Sequence, residues 1–136
     1  MRGLKRRKVR EAEGLFLAEG VRVVEELLDA GVALRFAVVS SPLEDSERGR
    51  ALADALAGRC PLHRVGPAEL AELAGTETPQ GVLVVAAIPR AELNSLEVHG
   101  RATVLVLDAV QDPGNFGTLV RSAEALGVVA VAALPG

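Results

Sequence analysis

Two apolar runs, residues 103–107 (T-V-L-V-L) and 128–134 (V-V-A-V-A-A-L), flank a segment from about Phe116 to Leu126 with helical character, and this pattern narrows the possible architectures sharply. Strands apolar at nearly every position are covered on both faces, and strands joined through a helix belong to parallel α/β sheets. The connecting stretch D-P-G-N-F-G-T-L-V-R-S-A, Asp112 to Ala123, therefore marks the carboxyl end of a strand and the start of a helix. Open α/β sheets place their ligand sites there. Asn115 is of a type that caps helices, Gly117 permits close approach of backbone or ligand, and Arg121 follows one turn later. Leu119, Ala123 and Leu126 share one helical stripe, so Gly117 and Arg121 are expected together on the opposite side, away from the sheet. Spacing alone is equally well met by a capped helix carrying a solvated arginine.

The alternation continues upstream. Val21, Val24, Leu27 and Leu28 have helical spacing within residues 19–30, and Gly31 is the expected stop. Residues 34–40 read as a buried strand, Ser41-Pro42 breaks it, and Asp45 or Ser46 can cap a second helix reaching about Ala57. A short strand at 62–65, a short helix from Pro67 through Leu73 and a buried strand at 82–88 complete a βαβα order, which predicts a largely parallel layered sheet. Apolar continuity is lost over 89–101. The expected organisation is an N-terminal α/β domain at 1–93, a linker at 94–101 and a second module at 102–136. One βαβ unit of roughly 35 residues cannot cover both faces of its strands, so the first domain, a partner or further chain has to do so.

Composition excludes several classes. The chain has 136 residues, 49% of them hydrophobic, enough for a packed core. Its longest apolar stretches fall well short of the roughly 20 residues a spanning helix needs, and its start lacks a signal peptide's apolar core, so the expectation is a cytoplasmic protein with no membrane partner. Cys60 is the one cysteine, and His63 and His99 are scattered, which points to no disulfide and no metal site. The formal charge is −3, yet Arg2, Lys5, Arg6, Arg7, Lys8 and Arg10 crowd the beginning. Such a cluster is either a solvated terminus or a surface for phosphates. With three phenylalanines and neither tyrosine nor tryptophan, stacking platforms for single strands are missing, and any RNA is held through phosphates and hydroxyls.

The run N-F-G-T-L-V-R-S-A-E-A-L-G resembles the first signature, N-x-G-x-x-x-R-x-A-x-x-x-G, of RNA 2'-O-ribose methyltransferases of the SpoU/TrmH type in the SPOUT superfamily, with Asn115, Gly117, Arg121, Ala123 and Gly127 matching. F-L-A-E-G-V-R-V-V-E-E-L-L from Phe16 and T-P-Q-G-V-L-V-V-A from Thr78 resemble the two ends of that family's substrate-binding domain. The resemblance implies an N-terminal α/β RNA-binding domain followed by the start of a parallel-sheet α/β-knot methyltransferase domain, truncated here. Nothing resembles the second motif, or the third with its S-L-N core, which in the family build the S-adenosylmethionine pocket. The resemblance therefore implies an enzyme that uses S-adenosylmethionine on rRNA or tRNA when complete, a homodimer, and a chain that by itself binds no cofactor and is inactive.

The family roles carried over are those of Arg121, activating the ribose hydroxyl, and Asn115, positioning RNA or the arginine. Gly117, Arg6, Arg7 and Lys8 are the expected substrate-binding residues. A guanidinium remains protonated, so Arg121 stabilises developing negative charge while another group accepts the proton. Glu19 matches the family's E-G turn but is equally well explained as a carboxylate near a helix start. Asp108 and Asp112 suggest a magnesium-dependent phosphatase or receiver, without the companion acids such sites need. The glycines around Asn115 lack the G-x-G-x-x-G spacing of dinucleotide binding. The main alternative is a non-catalytic module that binds structured RNA.

Overall fold

The computed structural model describes residues 2–74, 79–89 and 100–134. The chain divides into two units, Met1–Pro89 and Arg90–Gly136. Most of the expected linker at 94–101, together with Thr78 and His99, lies outside the described residues.

The first unit opens with a 3-10 turn at Arg2–Lys5 and a helix, α1 (Arg7–Glu13), closed by Gly14 in the left-handed conformation. Then follow β1 (Leu15–Glu19), α2 (Val21–Asp29), β2 (Leu34–Ser40), a 3-10 turn (Ser41–Asp45), α3 (Glu47–Ala57), β3 (Leu62–Val65), α4 (Pro67–Ala74) and β4 (Val82–Ala87). The strands form one sheet in the order β1-β4-β2-β3. On one face, Val24 of α2 and Leu52 and Leu56 of α3 pack on Ala37, Val39, Val82, Val84 and Ala86. On the other, Leu70 and Ala74 of α4 pack with Val38 and Leu83. The continuous burial of Val82 to Ala86 follows from this central position between two helical layers.

Two expectations change. The segment from Leu15 to Glu19 is a strand, so α2 starts at Val21 and Glu19 ends β1 instead of opening a helix. The sheet is mixed: β2 and β3 are parallel, but β4 runs antiparallel to both β1 and β2. Chain entry is the physical reason. Gly81 accepts a hydrogen bond from Ser40 N at 2.9 Å, so β4 begins beside the point where β2 ends and must run back along it.

The second unit comprises β5 (Val104–Leu107), α5 (Pro113–Ala125) and β6 (Ala130–Ala133), with the two strands parallel and Val104 opposite Ala130. Leu107 and Ala123 are buried where the helix covers the strands. Val104 and Val106, on the other face of β5, are 41% and 56% exposed. The buried side of α5 differs from the expected stripe: Phe116 and Val120 are half-buried beside Ala123, whereas Leu119 is exposed and Leu126 is 81% exposed. The buried stripe is displaced by three residues along the sequence, which at roughly 100° per residue is a rotation of about 60° around the helix axis. Ala123 is common to both stripes.

Candidate functional site

The helix start is built by Asp112 and Pro113. Proline suits the first helical position because its missing N–H has no intrahelical acceptor to meet, and its fixed φ is already helical. Asp112 is thereby the cap, its Oδ1 accepting from Asn115 N at 2.7 Å. Asn115 is therefore not the cap that its residue type suggested. Its backbone N–H is used, and its side chain is exposed on the first turn. The Asp112 carboxylate is occupied in the same way, and among the described residues no group of three or more His, Cys, Asp or Glu side chains could hold a metal ion.

Arg121 lies on the exposed side of α5, and its guanidinium folds back along its own helix. Arg121 Nη2 donates to Thr118 Oγ1 at 3.3 Å, and Thr118 Oγ1 donates to the Gly114 carbonyl at 2.9 Å. A Cβ added at Gly117 would stand 3.1 Å from Arg121 Nη1. Gly117 and Arg121 thus adjoin, with Thr118 as the third member. Thr118 was missed by the sequence reading, although a hydroxyl three residues before an arginine on a helix is a neighbour by spacing. The loop between β5 and α5 also holds Ala109 at φ 53°. A left-handed alanine costs about 1 kcal/mol, strain of the kind that collects at functional loops. No sequence signal marks it, since alanine is not a residue that favours this region.

The basic start is structured. Leu4 is buried, Arg10 Nη1 donates to the Leu4 carbonyl at 3.2 Å, and Gly14 closes α1. Arg6, Arg7 and Lys8 are exposed at its beginning. Arg7 Nε donates to Glu11 Oε1 at 2.7 Å, whereas Arg6 and Lys8 show no ion pair among the described residues. Elsewhere in this unit Arg22 pairs with Glu26, Arg48 with Glu25 and Arg64 with Glu44, and Arg50 donates to the Glu44 and Asp45 carbonyls. These ties compensate the cations of α2, α3 and β3. Arg48 and Arg64 hold the carboxyls of Glu25 and Glu44 below their ordinary pKa, chiefly by hydrogen bonding. Cys60 is half-buried and its thiol is pushed up by burial, which disfavours the reactive thiolate.

An α/β unit followed by a strand-helix-strand unit is an arrangement this chain shares with solved structures of SpoU-type methyltransferases. Residues 1–84 match the MRM3-like substrate-binding domain, and the chain belongs to that family. A 23S rRNA guanosine 2'-O-methyltransferase of Bacillus subtilis is 33% identical over 126 residues, 92% of this chain and 46% of its own length. A 23S rRNA uridine 2'-O-methyltransferase of Streptomyces viridochromogenes is 30% identical over 122 residues, 89% of this chain and 42% of its own length. The crystal structure of the SpoU methyltransferase AviRb from the same organism, in complex with AdoMet, superposes with a TM-score of 0.81 at 29% identity, covering 96% of this chain and 49% of that one. The chain spans about half the length of the relatives it matches.

Proposed function

We propose that this chain is the substrate-binding domain and the beginning of the catalytic domain of an S-adenosylmethionine-dependent RNA 2'-O-ribose methyltransferase acting on rRNA or tRNA. One observation carries the reading: Arg121, at the family's arginine position, is exposed on α5, the helix that follows β5. The two named relatives act on different bases, guanosine and uridine, so what they share is a ribose hydroxyl on RNA.

In this proposal Arg121 stabilises negative charge on the 2'-oxygen or binds a neighbouring phosphate, and Asn115 and Gly117 shape the approach of the RNA. Arg6, Arg7 and Lys8 contact the RNA backbone in the first domain. The guanidinium keeps its protons, so the proton acceptor is another group. S-adenosylmethionine supplies the methyl in the complete protein, and these residues do not by themselves hold it. Asn115, Thr118 and Arg121 are exposed along one helix, whereas a ligand of that size is enclosed by a cleft. We assign the cofactor pocket to the half of the complete protein that the relatives possess beyond the matched region. The domains are assigned to 1–93 and 102–136 with a linker between, and the complete protein to a cytoplasmic homodimer that shares its sites.

The test is Arg121→Lys in the complete protein. Lysine keeps the charge but loses the planar fork that engages two oxygens at once. Turnover is expected to fall on the order of 100-fold, about 2.7 kcal/mol of transition-state stabilisation, with the circular dichroism spectrum and melting temperature unchanged. Full activity in that variant removes Arg121 from the reaction. A complete protein that binds structured RNA but transfers no methyl group establishes the non-catalytic alternative.

A further inference from the structure

We propose that Thr118 and Gly117 act as a pair of positioning residues that hold the Arg121 guanidinium folded back on the first turns of α5. The inference rests on Arg121 being the group that serves the ribose hydroxyl. A threonine hydroxyl has a single proton, and here it is committed to the Gly114 carbonyl oxygen at 2.9 Å. The oxygen is thereby left as an acceptor, and Arg121 Nη2 donates to it at 3.3 Å. The hydrogen-bond sense is set from the backbone outward: Gly114 orients Thr118, and Thr118 orients Arg121.

Gly117 acts through what it lacks. A Cβ there would stand 3.1 Å from Arg121 Nη1 and 3.9 Å from both Cζ and Nη2. The helix itself does not need this glycine, because Gly117 is inside α5 and is not among the residues with positive φ. Alanine is the better helix former at such a position. The side chain that benefits from the missing methyl is Arg121, four residues on, whose guanidinium occupies the space. With Nη2 tied to Thr118 and Nη1 lying against Gly117, the guanidinium keeps its other N–H donors available to an RNA oxygen, and fewer arginine rotamers have to be frozen out when RNA binds.

The experiment uses the complete protein. The variants Thr118→Val, Thr118→Ser and Gly117→Ala are each made alone and in combination with Arg121→Lys, and kcat, KM for RNA and melting temperature are measured. Thr118→Val is expected to lower kcat about 10-fold with KM changed less than about 2-fold, and Thr118→Ser, which keeps the hydroxyl, to stay within about 2-fold of the parent. Gly117→Ala is expected to lower kcat while the melting temperature holds or rises, a dissociation that a structural role does not produce. In the Arg121→Lys background both effects should vanish, because the group being positioned has changed. Equal losses in the two backgrounds overturn the positioning role, as does an unchanged kcat in Gly117→Ala. The relaxation order parameter of the Arg121 Nε–H bond reads the positioning directly. It should drop below about 0.6 in Thr118→Val and Gly117→Ala and be kept in Thr118→Ser. If Arg121→Lys keeps full turnover while the order parameter drops as expected, the catalytic reading of Arg121 falls and the positioning stands. An unchanged order parameter overturns the positioning whatever the kinetics.

Discussion

Individual cations in the first unit differ mainly in whether an acid already holds them. Arg22, Arg48 and Arg64 are paired with glutamates, while Arg6 and Lys8 stand exposed on α1 with no ion pair among the described residues. Arg7 and Arg22 are intermediate, since an exposed pair four residues apart on a helix is worth only a few tenths of a kcal/mol and yields readily to a phosphate. Arg6→Ala and Lys8→Ala are each expected to weaken RNA binding and reduce the salt slope by about 0.7–0.9. Arg48→Ala, which removes a guanidinium already engaged through two of its nitrogens by Glu25 of α2, should leave the slope unchanged. Equal effects from all three, measured by binding isotherms over a salt series, would show that the whole unit attracts RNA through net charge. The basic cluster is legible in the sequence as a composition shift. Which of its neighbours are neutralised is not, because Glu25 and Arg48 are 23 residues apart and Glu44 and Arg64 are 20 apart, and only the fold brings them together.

Among the elements, α3 depends on one close approach. Ser46 Oγ accepts from Gly49 N at 3.0 Å as the cap, and a Cβ at Gly49 would stand 1.8 Å from the Leu43 carbonyl oxygen. Gly49→Ala must move backbone and is expected to destabilise the protein by about 3 kcal/mol in urea unfolding. Gly58→Ala, at the other end of α3, meets nothing nearer than 3.6 Å and should be within about 0.5 kcal/mol of the parent. The ion pairs that join α2 to α3 and the Ser41–Asp45 turn to β3 make these contacts sensitive to acid. Glu25 and Glu44 have folded-state pKa values below the ordinary 4.5, so their stabilising contribution is present above that pH and is lost as pH falls through the depressed values. The urea midpoint should therefore fall with decreasing pH below about 4.5, and less steeply in Glu25→Gln and Glu44→Gln. Identical pH profiles would remove both pairs from acid stability.

At the scale of the whole chain, the 136 residues alone are expected to give no saturable heat with S-adenosylmethionine in isothermal titration, and saturable binding would show that the pocket is built from the residues present. Among the described residues of the second unit α5 is the one helix beside β5 and β6, and Val104 and Val106 are exposed, which matches the incomplete burial their apolar sequence implied. Most helix and strand bounds were readable, because Ser46, Pro67 and Gly31 punctuate periodicities that lie within single elements. The neighbouring positions of Gly117 and Arg121 on one helix were readable for the same reason, whereas Asn115 read as a cap and lies inside the helix behind Asp112. Strand direction was not. An apolar run reads the same whether its neighbour is parallel or antiparallel, so the insertion of β4 between β1 and β2, and the strand character of β1, came only with the assembled sheet. The same holds for the buried side of α5. Periodicity allowed Leu119 and Leu126 as well as Phe116 and Val120 beside Ala123, and the choice was made by where Asp112 and Pro113 start the helix and where β5 and β6 receive it.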